Sequence, residues 1–265
     1  MSETDRATIT KLARAAKGGL VSTAIATSVL EQPSNVVASR LSSLVKRGWL
    51  ARARRGLYLV LPLEATAGSQ VAEDPWILAA MTFSPAYIGG WSAAEHWGLT
   101  EQLFRSTLVV TAANIRSSRT QVLGHEFRLF KVPQSRISDT VLVWRGTEKV
   151  AVSTPERTIA DCLSSPELSG GIRHLSDMLL EFEKTSGRDL KKILEVLGRL
   201  RNGAALKRFG YLVESMWPER RELVDDIQKT LTTGYVRLDP TVKGRGKLLS
   251  RWRLWINVTL QRQTG

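Results

Sequence analysis

The feature that most constrains this chain is an order of elements within its first sixty residues: three short amphipathic segments, then an arginine-rich hairpin. Ile9, Leu12, Ala13 and Ala16 recur at helical spacing among Arg6, Lys11, Arg14 and Lys17, and Gly18-Gly19 close the pattern as a C-cap does. After Leu20, Val21-Ser22 read as the entry to a second helix, with Ser22 as N-cap and Ile25, Ala26 and Val29 on its apolar side. Pro33 suits a first helical position, and Val37, Leu41, Leu44 and Val45 give the stripe of a third helix that ends near Arg47-Gly48. In the following WLARARRGLYLVLP, Arg52, Arg54 and Arg55 surround a turn at Gly56, after which Leu57-Tyr58-Leu59-Val60 return as a strand. Three helices and a basic hairpin, in that order, predict a winged helix-turn-helix over residues 1–62, with the third helix suited to a major groove and the hairpin to the DNA backbone or minor groove.

The third helix carries Ser34, Asn35, Ser39, Arg40 and Ser43 away from its apolar stripe. Each is short or polar enough to approach base edges, and Arg40 can fork onto guanine, so these are the expected base-reading residues. The hairpin arginines Arg52, Arg54 and Arg55 suit phosphates, which add salt-dependent affinity rather than sequence choice. Residues 1–61 hold ten Lys+Arg and three acids, a net of +7 and more than half of the +13 carried by the whole chain. A solvated face has no reason to cluster one sign of charge on a hairpin tip.

Beyond this unit, residues 63–74 combine Pro, Gly, Ser and acids without periodicity and read as a linker to a second domain over 75–265. A length of 265 residues with 43% hydrophobic content and eight Trp is enough for two folded cores. Pro75 opens a helix through Trp76, Ile77, Ala79 and Ala80. A second helix is expected from Ser92 to Trp97, with Ser92 and Glu95 as a capping box. Strands are expected at 107–111, 127–132, 141–144 and 150–152, then a helix opened at Ser153-Thr154-Pro155-Glu156 by a capping residue and a first-turn Pro and Glu. Four further apolar stripes, from Ile172 to Leu231, predict an antiparallel helical layer, before strand-like sequence returns at 235–239 and 252–258. The fold class expected is therefore α+β: a winged helix followed by a larger mixed domain with a small sheet and a helical layer.

Between those last two strands lies the glycine-rich basic run VKGRGKLLSR, and residues 234–265 carry seven Lys+Arg against Asp239 alone. Lys243, Arg245, Lys247 and Arg251 form a second candidate surface, either for phosphate or as a solvated connection. Little else suggests chemistry. His96, His125 and His174 are scattered without zinc spacing, and there is no phosphate loop, dinucleotide fingerprint or nucleophile elbow, so neither a metal nor a cofactor is expected. Asp225 and Asp226 are adjacent on a helix and diverge by about 100°, which suits solvent rather than a metal. Cys162 stands alone, which excludes an internal disulfide and fits a small buried hydrophobe. No apolar run approaches the length of a membrane span and the N-terminus lacks a signal-peptide pattern, so a cytoplasmic protein without membrane contact is expected.

Three segments of the second domain, DPWILAAMTFSPAYIGGWSAAEHWGLTEQ, STPERTIADCL and RWRLWINV, resemble the AbiEi family of antitoxins. The resemblance runs from about residue 5 to residue 258, and Trp91 to Gln102 and Thr154 to Leu163 are its more specific parts. It implies a non-enzymatic protein of a type IV toxin–antitoxin system. Such a protein represses its own operon by binding inverted repeats in promoter DNA and neutralises a cognate nucleotidyltransferase-like toxin, with direct contact to that toxin left open. The motif residues also have a structural reading: Trp91, Trp97 and Leu99 as core, Pro155 and Glu156 as helix-start chemistry, and Arg157 with Asp161 as an (i, i+4) pair. A DNA-targeted nuclease or a ligand-sensing regulator are the alternatives. Without a long heptad segment, a monomer in solution is expected, with two copies able to meet on inverted repeats.

Overall fold

A computed structural model describes residues 3–61 and 74–260; the expected linker at 63–74 lies outside the described residues apart from Asp74. The described residues form an α+β fold of small sheets and ten α-helices. The first elements are α1 (Glu3–Ala15), β1 (Leu20–Ser22), α2 (Thr23–Leu30), α3 (Ser34–Lys46), β2 (Leu50–Arg54) and β3 (Leu57–Val60). Ile9, Leu12, Val21, Ala26, Val37, Leu41, Leu44, Leu50 and Tyr58 make one buried cluster under them. Leu20–Ser22 is a strand rather than the start of a helix, because it pairs antiparallel with β3 (Leu20 opposite Leu59) and so completes a sheet of order β1-β3-β2. Ser22 nevertheless caps α2, its hydroxyl accepting from the Ile25 amide at 3.1 Å.

The chain continues through α4 (Pro75–Phe83), β4 (Ala86–Ile88), α5 (Gly90–His96), β5 (Thr107–Thr111), β6 (Arg119–Val122), β7 (His125–Lys131), β8 (Thr140–Arg145) and β9 (Glu148–Ser153). The six strands form one mixed sheet in the order β6-β7-β5-β4-β9-β8, with β5 and β7 parallel and fully buried β5 near its middle. Asp74 starts α4 by accepting from the Trp76 amide at 2.7 Å, ahead of Pro75 at the first position. The expected capping box at Ser92 and Glu95 does not form. Gly89 is the N-cap of α5, so Ser92 already lies inside the helix and is buried.

The remaining elements are α6 (Pro155–Ser164), α7 (Ile172–Lys184), α8 (Leu190–Leu200), α9 (Gly203–Met216), α10 (Arg221–Lys229), β10 (Val236–Arg237), β11 (Lys247–Leu249) and β12 (Leu254–Ile256). Side-chain caps start three of these helices: Thr154 bonds the Arg157 amide, Asp189 that of Lys191, and Asn202 those of Ala204 and Ala205. Helix α6 is the hub, with α5, α7, α8 and α9 all packed against it. Its Ile159, Ala160, Cys162 and Leu163 are fully buried, whereas Asp225 on α10 is exposed.

By packing, the chain divides into two compact units that interleave in sequence. One holds Met1–Ile88, Arg105–Ile137 and Leu142–Ala151; the other holds Gly89–Phe104, Ser138–Val141 and Val152–Gly265. No helix among the described residues is long and apolar enough to cross a membrane.

Candidate nucleic-acid interface

The geometry of the first sixty residues follows from where the chain is forced to turn. Glu31 ends α2 in the left-handed region (φ 52°), and Pro33 redirects the backbone into α3. Gly48 (φ 76°) ends the third helix and Gly56 (φ 79°) makes the hairpin turn between β2 and β3, both conformations that suit glycine. The Gly56 carbonyl accepts from the Thr23 amide at 2.9 Å, which ties the hairpin turn to the start of α2.

Helix α3 buries Val37, Leu41 and Leu44 and turns its other side outward. Ser34, Asn35, Ser39 and Ser43 are exposed and Arg40 is half-buried; the structure brings Asn35, Ser39, Arg40 and Ser43 onto one surface, while Ser34 at the first position of α3 does not border it. Gln32, Asn35, Val36, Ser39, Arg40 and Ser43 border an open concavity of about 560 Å³ there, with Arg47 at its far end. Three members of this surface, Gln32, Val36 and Arg47, are not among the expected residues. Val36 is 46% exposed, an apolar side chain in the middle of a polar face. The signal was present: residues adjacent on a helix diverge by about 100°, so Val36 and Val37 cannot both enter the core. Arg47 pairs with buried Asp5 of α1 and also donates to the Ser43 hydroxyl at 3.1 Å. It locks the angle of α3 against α1 and fixes the Ser43 side chain.

On the hairpin, Arg52, Arg54 and Arg55 are all exposed, as a phosphate-contacting set requires. Their situations differ. Arg54 donates from Nη2 to the Met81 carbonyl at 3.1 Å, while Arg52 and Arg55 have no side-chain partner among the described residues. A register shift between Arg52 and Arg54, where β2 bulges against β3, separates their directions.

Of the second basic set, Lys243, Arg245 and Lys247 are exposed on the strand-rich tail, whereas Arg251 is held by Glu214 of α9 at 2.7 Å. Arg251 thus acts as an anchor of that tail.

The residues that carry the AbiEi resemblance build packing and buried polar structure. Trp91 stacks on Phe104 at 4.9 Å, Leu99 is 1% exposed, and half-buried Trp97 donates to the Ser153 carbonyl at 2.7 Å. Arg157 is fully buried on α6, bonded to Asp161 at 2.9 Å and to Asp139 at 3.3 Å, with Arg199 holding the other oxygen of Asp139. Burial pulls the Asp139 carboxyl upward, but bonds from Arg199 and Ser138 and the nearby guanidinium of Arg157 outweigh it and hold the group below its ordinary value. Burial pushes the Cys162 thiol far above its ordinary value, the wrong direction for a nucleophile. Among the described residues no group of three His, Cys, Asp or Glu side chains is placed to hold a metal ion.

No protein-family profile matches this chain and no curated protein is similar to it. A solved structure with the same fold is that of the RV2827C protein from Mycobacterium tuberculosis. It is 17% identical with a TM-score of 0.59, over 93% of this chain and 88% of that one. At that identity the likeness speaks for the fold, which is α+β over nearly the full length of both proteins.

Proposed function

We propose that this chain is a winged-helix DNA-binding antitoxin that represses its own operon through promoter inverted repeats and neutralises a cognate nucleotidyltransferase-like toxin without catalysing a reaction. The observation that carries the DNA-binding half is the outward face of α3: Asn35, Ser39 and Arg40, with Val36 among them, on a helix whose opposite side is locked into the core. Arg40 has the reach and fork geometry for a guanine edge, and Asn35 the paired donor and acceptor for an adenine edge. The exposed arginines Arg52 and Arg55 on the adjoining hairpin supply phosphate contacts of the kind that position a helix in a groove. The antitoxin half is supported by the resemblance of Trp91 to Gln102 and Thr154 to Leu163 to the AbiEi family, stretches whose Trp91, Leu99, Ile159 and Leu163 are buried in one compact unit.

A mobility-shift titration against the gene's own promoter, repeated over a range of salt, tests the repressor half. The expected result is a sequence-specific shift whose specificity relaxes in Arg40→Ala and whose salt slope flattens by about 0.9 for each of Arg52→Ala and Arg55→Ala. No specific shift at physiological salt overturns it. The antitoxin half is tested by co-expression with the product of the adjacent gene: rescue of growth supports it, and a neighbour that is neither toxic nor rescued overturns it.

A further inference from the structure

The C-terminal three-stranded sheet is a built surface. Strand β12 is its centre, parallel to β10 and antiparallel to β11. Cross-strand partners share a face. One face carries Val236, Leu254 and Leu249, with Leu254 fully buried, and Trp252 just before β12 is also fully buried, its indole bonded to Glu214. The other face carries Arg237, Trp255 and Leu248 in a row across all three strands, with Arg237 and Leu248 exposed. The Arg245 guanidinium lies 5.0 Å above the Trp255 ring. Tyr235, next to β10, is 52% exposed.

The basic run that leads into β11 is shaped by its neighbours. Asn257 donates to the carbonyls of Asp239 and Val242, Asp239 bonds both the amide and the hydroxyl of Thr241, and Gly246 lies so close to the Ile256 carbonyl that a Cβ there would fall 2.0 Å from it. A loop held at these points presents its cations in a fixed place. The one acid of this stretch, Asp239, is buried and spent on the Ile172 amide and Thr241. Arg237, Lys243, Arg245 and Lys247 have no ion-pair partner among the described residues.

We propose that this face binds single-stranded nucleic acid: Arg237 on β10 and Lys243 on the loop hold phosphates, and the Arg245–Trp255 stack, flanked by Leu248, receives a base. The mixture decides between ligands. A duplex backbone offers only phosphate and sugar, and would leave the apolar side chain of Leu248 and the aromatic ring of Tyr235 wet. An unpaired base has a π-face that a guanidinium plane or an aromatic ring can stack on, and this is the chemistry of sequence-tolerant single-strand binding. An acidic protein would meet the cations and gain nothing from the stack. The inference does not depend on duplex binding by α3 and the hairpin.

The test uses the full chain and a fluorescein-labelled 15-nucleotide oligothymidylate, read by anisotropy, with oligouridylate and a labelled 15-base-pair duplex in parallel arms. Oligothymidylate is expected to bind at least tenfold more tightly to the wild type than to a Lys243→Ala/Arg245→Ala double variant, with the salt slope falling by about 0.7 for each cation removed. Arg245→Lys keeps the charge and loses the planar stack, and is expected to lose at least threefold. Arg52→Ala/Arg55→Ala is expected to leave oligothymidylate affinity within twofold while weakening the duplex. The thermal melt of each variant, matched to the wild type, separates lost binding from lost folding. Absence of single-strand binding, binding indifferent to Arg245, or equal loss from the hairpin variant overturns the proposal. A duplex held equally tightly through Arg245, or displacement of the oligonucleotide by oligoglutamate at equal charge, overturns the choice of ligand. Oligouridylate is expected to bind within tenfold of oligothymidylate, because the stack receives a base's π-face; a larger gap overturns a sequence-tolerant site.

Discussion

Arg157 shows what one buried residue demands of its surroundings. A guanidinium without solvent must be met by carboxylates and carbonyls, and here Asp161, Asp139 and the Ser138 carbonyl meet it. Asp139 in turn stands in the left-handed region (φ 53°), a conformation Asp tolerates better than most side chains. Because the folded state holds this carboxyl below its ordinary value of 3.8, its ionised form contributes stability above that pH. The contribution is lost as pH falls through the lower folded value. Asp139→Asn is therefore expected to lower the urea midpoint at pH 6, and the gap to the wild type is expected to close as the pH drops below 4. A gap of constant size from pH 6 to pH 3 would show that the charge is not the source. If α3 reads DNA as proposed, Val36 offers a second test, of reading rather than stability. An exposed valine between Asn35 and Arg40 suits the C5 methyl of thymine, and burying one such carbon contributes about 0.8 kcal/mol, about fourfold in affinity. Replacing thymines of the bound promoter site with uracil one at a time is expected to find a position costing the wild type about fourfold and Val36→Ala nothing. If every uracil substitution is neutral for the wild type, Val36 reads no methyl.

At the scale of elements, legibility tracked how local the cause was. The helices were readable because their stripes and caps lie within a few residues of one another: Leu175, Met178, Leu179 and Phe182 on α7 are all buried, and Thr154 with Pro155 opens α6 as expected. Strands with a run of alternating or apolar residues, such as β5 and β7, were readable too, but short strands that exist only through a distant partner were not. β1 exists because β3 lies beside it, and β6 (Arg119–Val122) alternates too weakly to announce itself before it pairs with β7. β11 was hidden inside a basic, glycine-rich run, where composition suggests a loop and pairing with β12 decides otherwise. The same pairing gives a prediction about that loop. Gly246→Ala would place its Cβ 2.0 Å from the Ile256 carbonyl oxygen and 2.6 Å from the Asn257 Cα, both backbone and unable to yield cheaply. Gly244 has a similar left-handed φ with nothing within 4 Å. Gly244→Ala is expected to cost about 1 kcal/mol of unfolding free energy, from the backbone alone, and Gly246→Ala at least about 2 kcal/mol more, measured by urea denaturation. Equal losses would mean that the turn does not close on β12.

In the whole molecule, the exposed polar side of α3 was legible from its apolar stripe, whereas the interleaving of two compact units was not, because interleaving leaves no mark on composition or periodicity. Ser138–Val141 is four residues long, yet it belongs to the unit of α6 and α9, to which it brings the Asp139 carboxylate. Gly89–Phe104 belongs to the same unit, although more than thirty residues of the other unit follow it in sequence. This has a consequence for folding. Residues 152–265 contain the whole helical layer, but α5 and the segment after it supply buried Trp91, Ala93, Ala94 and Leu99, with α5 packed against α6. Trp97 also spans from the Ser153 carbonyl, which its indole bonds, to Arg188, which donates to its own carbonyl at 2.8 Å. Each large apolar side chain so buried contributes about 1.5–3 kcal/mol, and a domain has only about 5–15 kcal/mol in total. Losing Trp91 and Leu99 together with the bonds of Trp97 removes an amount comparable to the entire margin. A fragment of residues 152–265 is therefore expected to show helical far-ultraviolet dichroism with a broad, non-cooperative melt, while the full chain melts sharply. A single sharp transition in that fragment would mean that the helical layer is self-sufficient, and that the motif around Trp91 is kept for something other than packing.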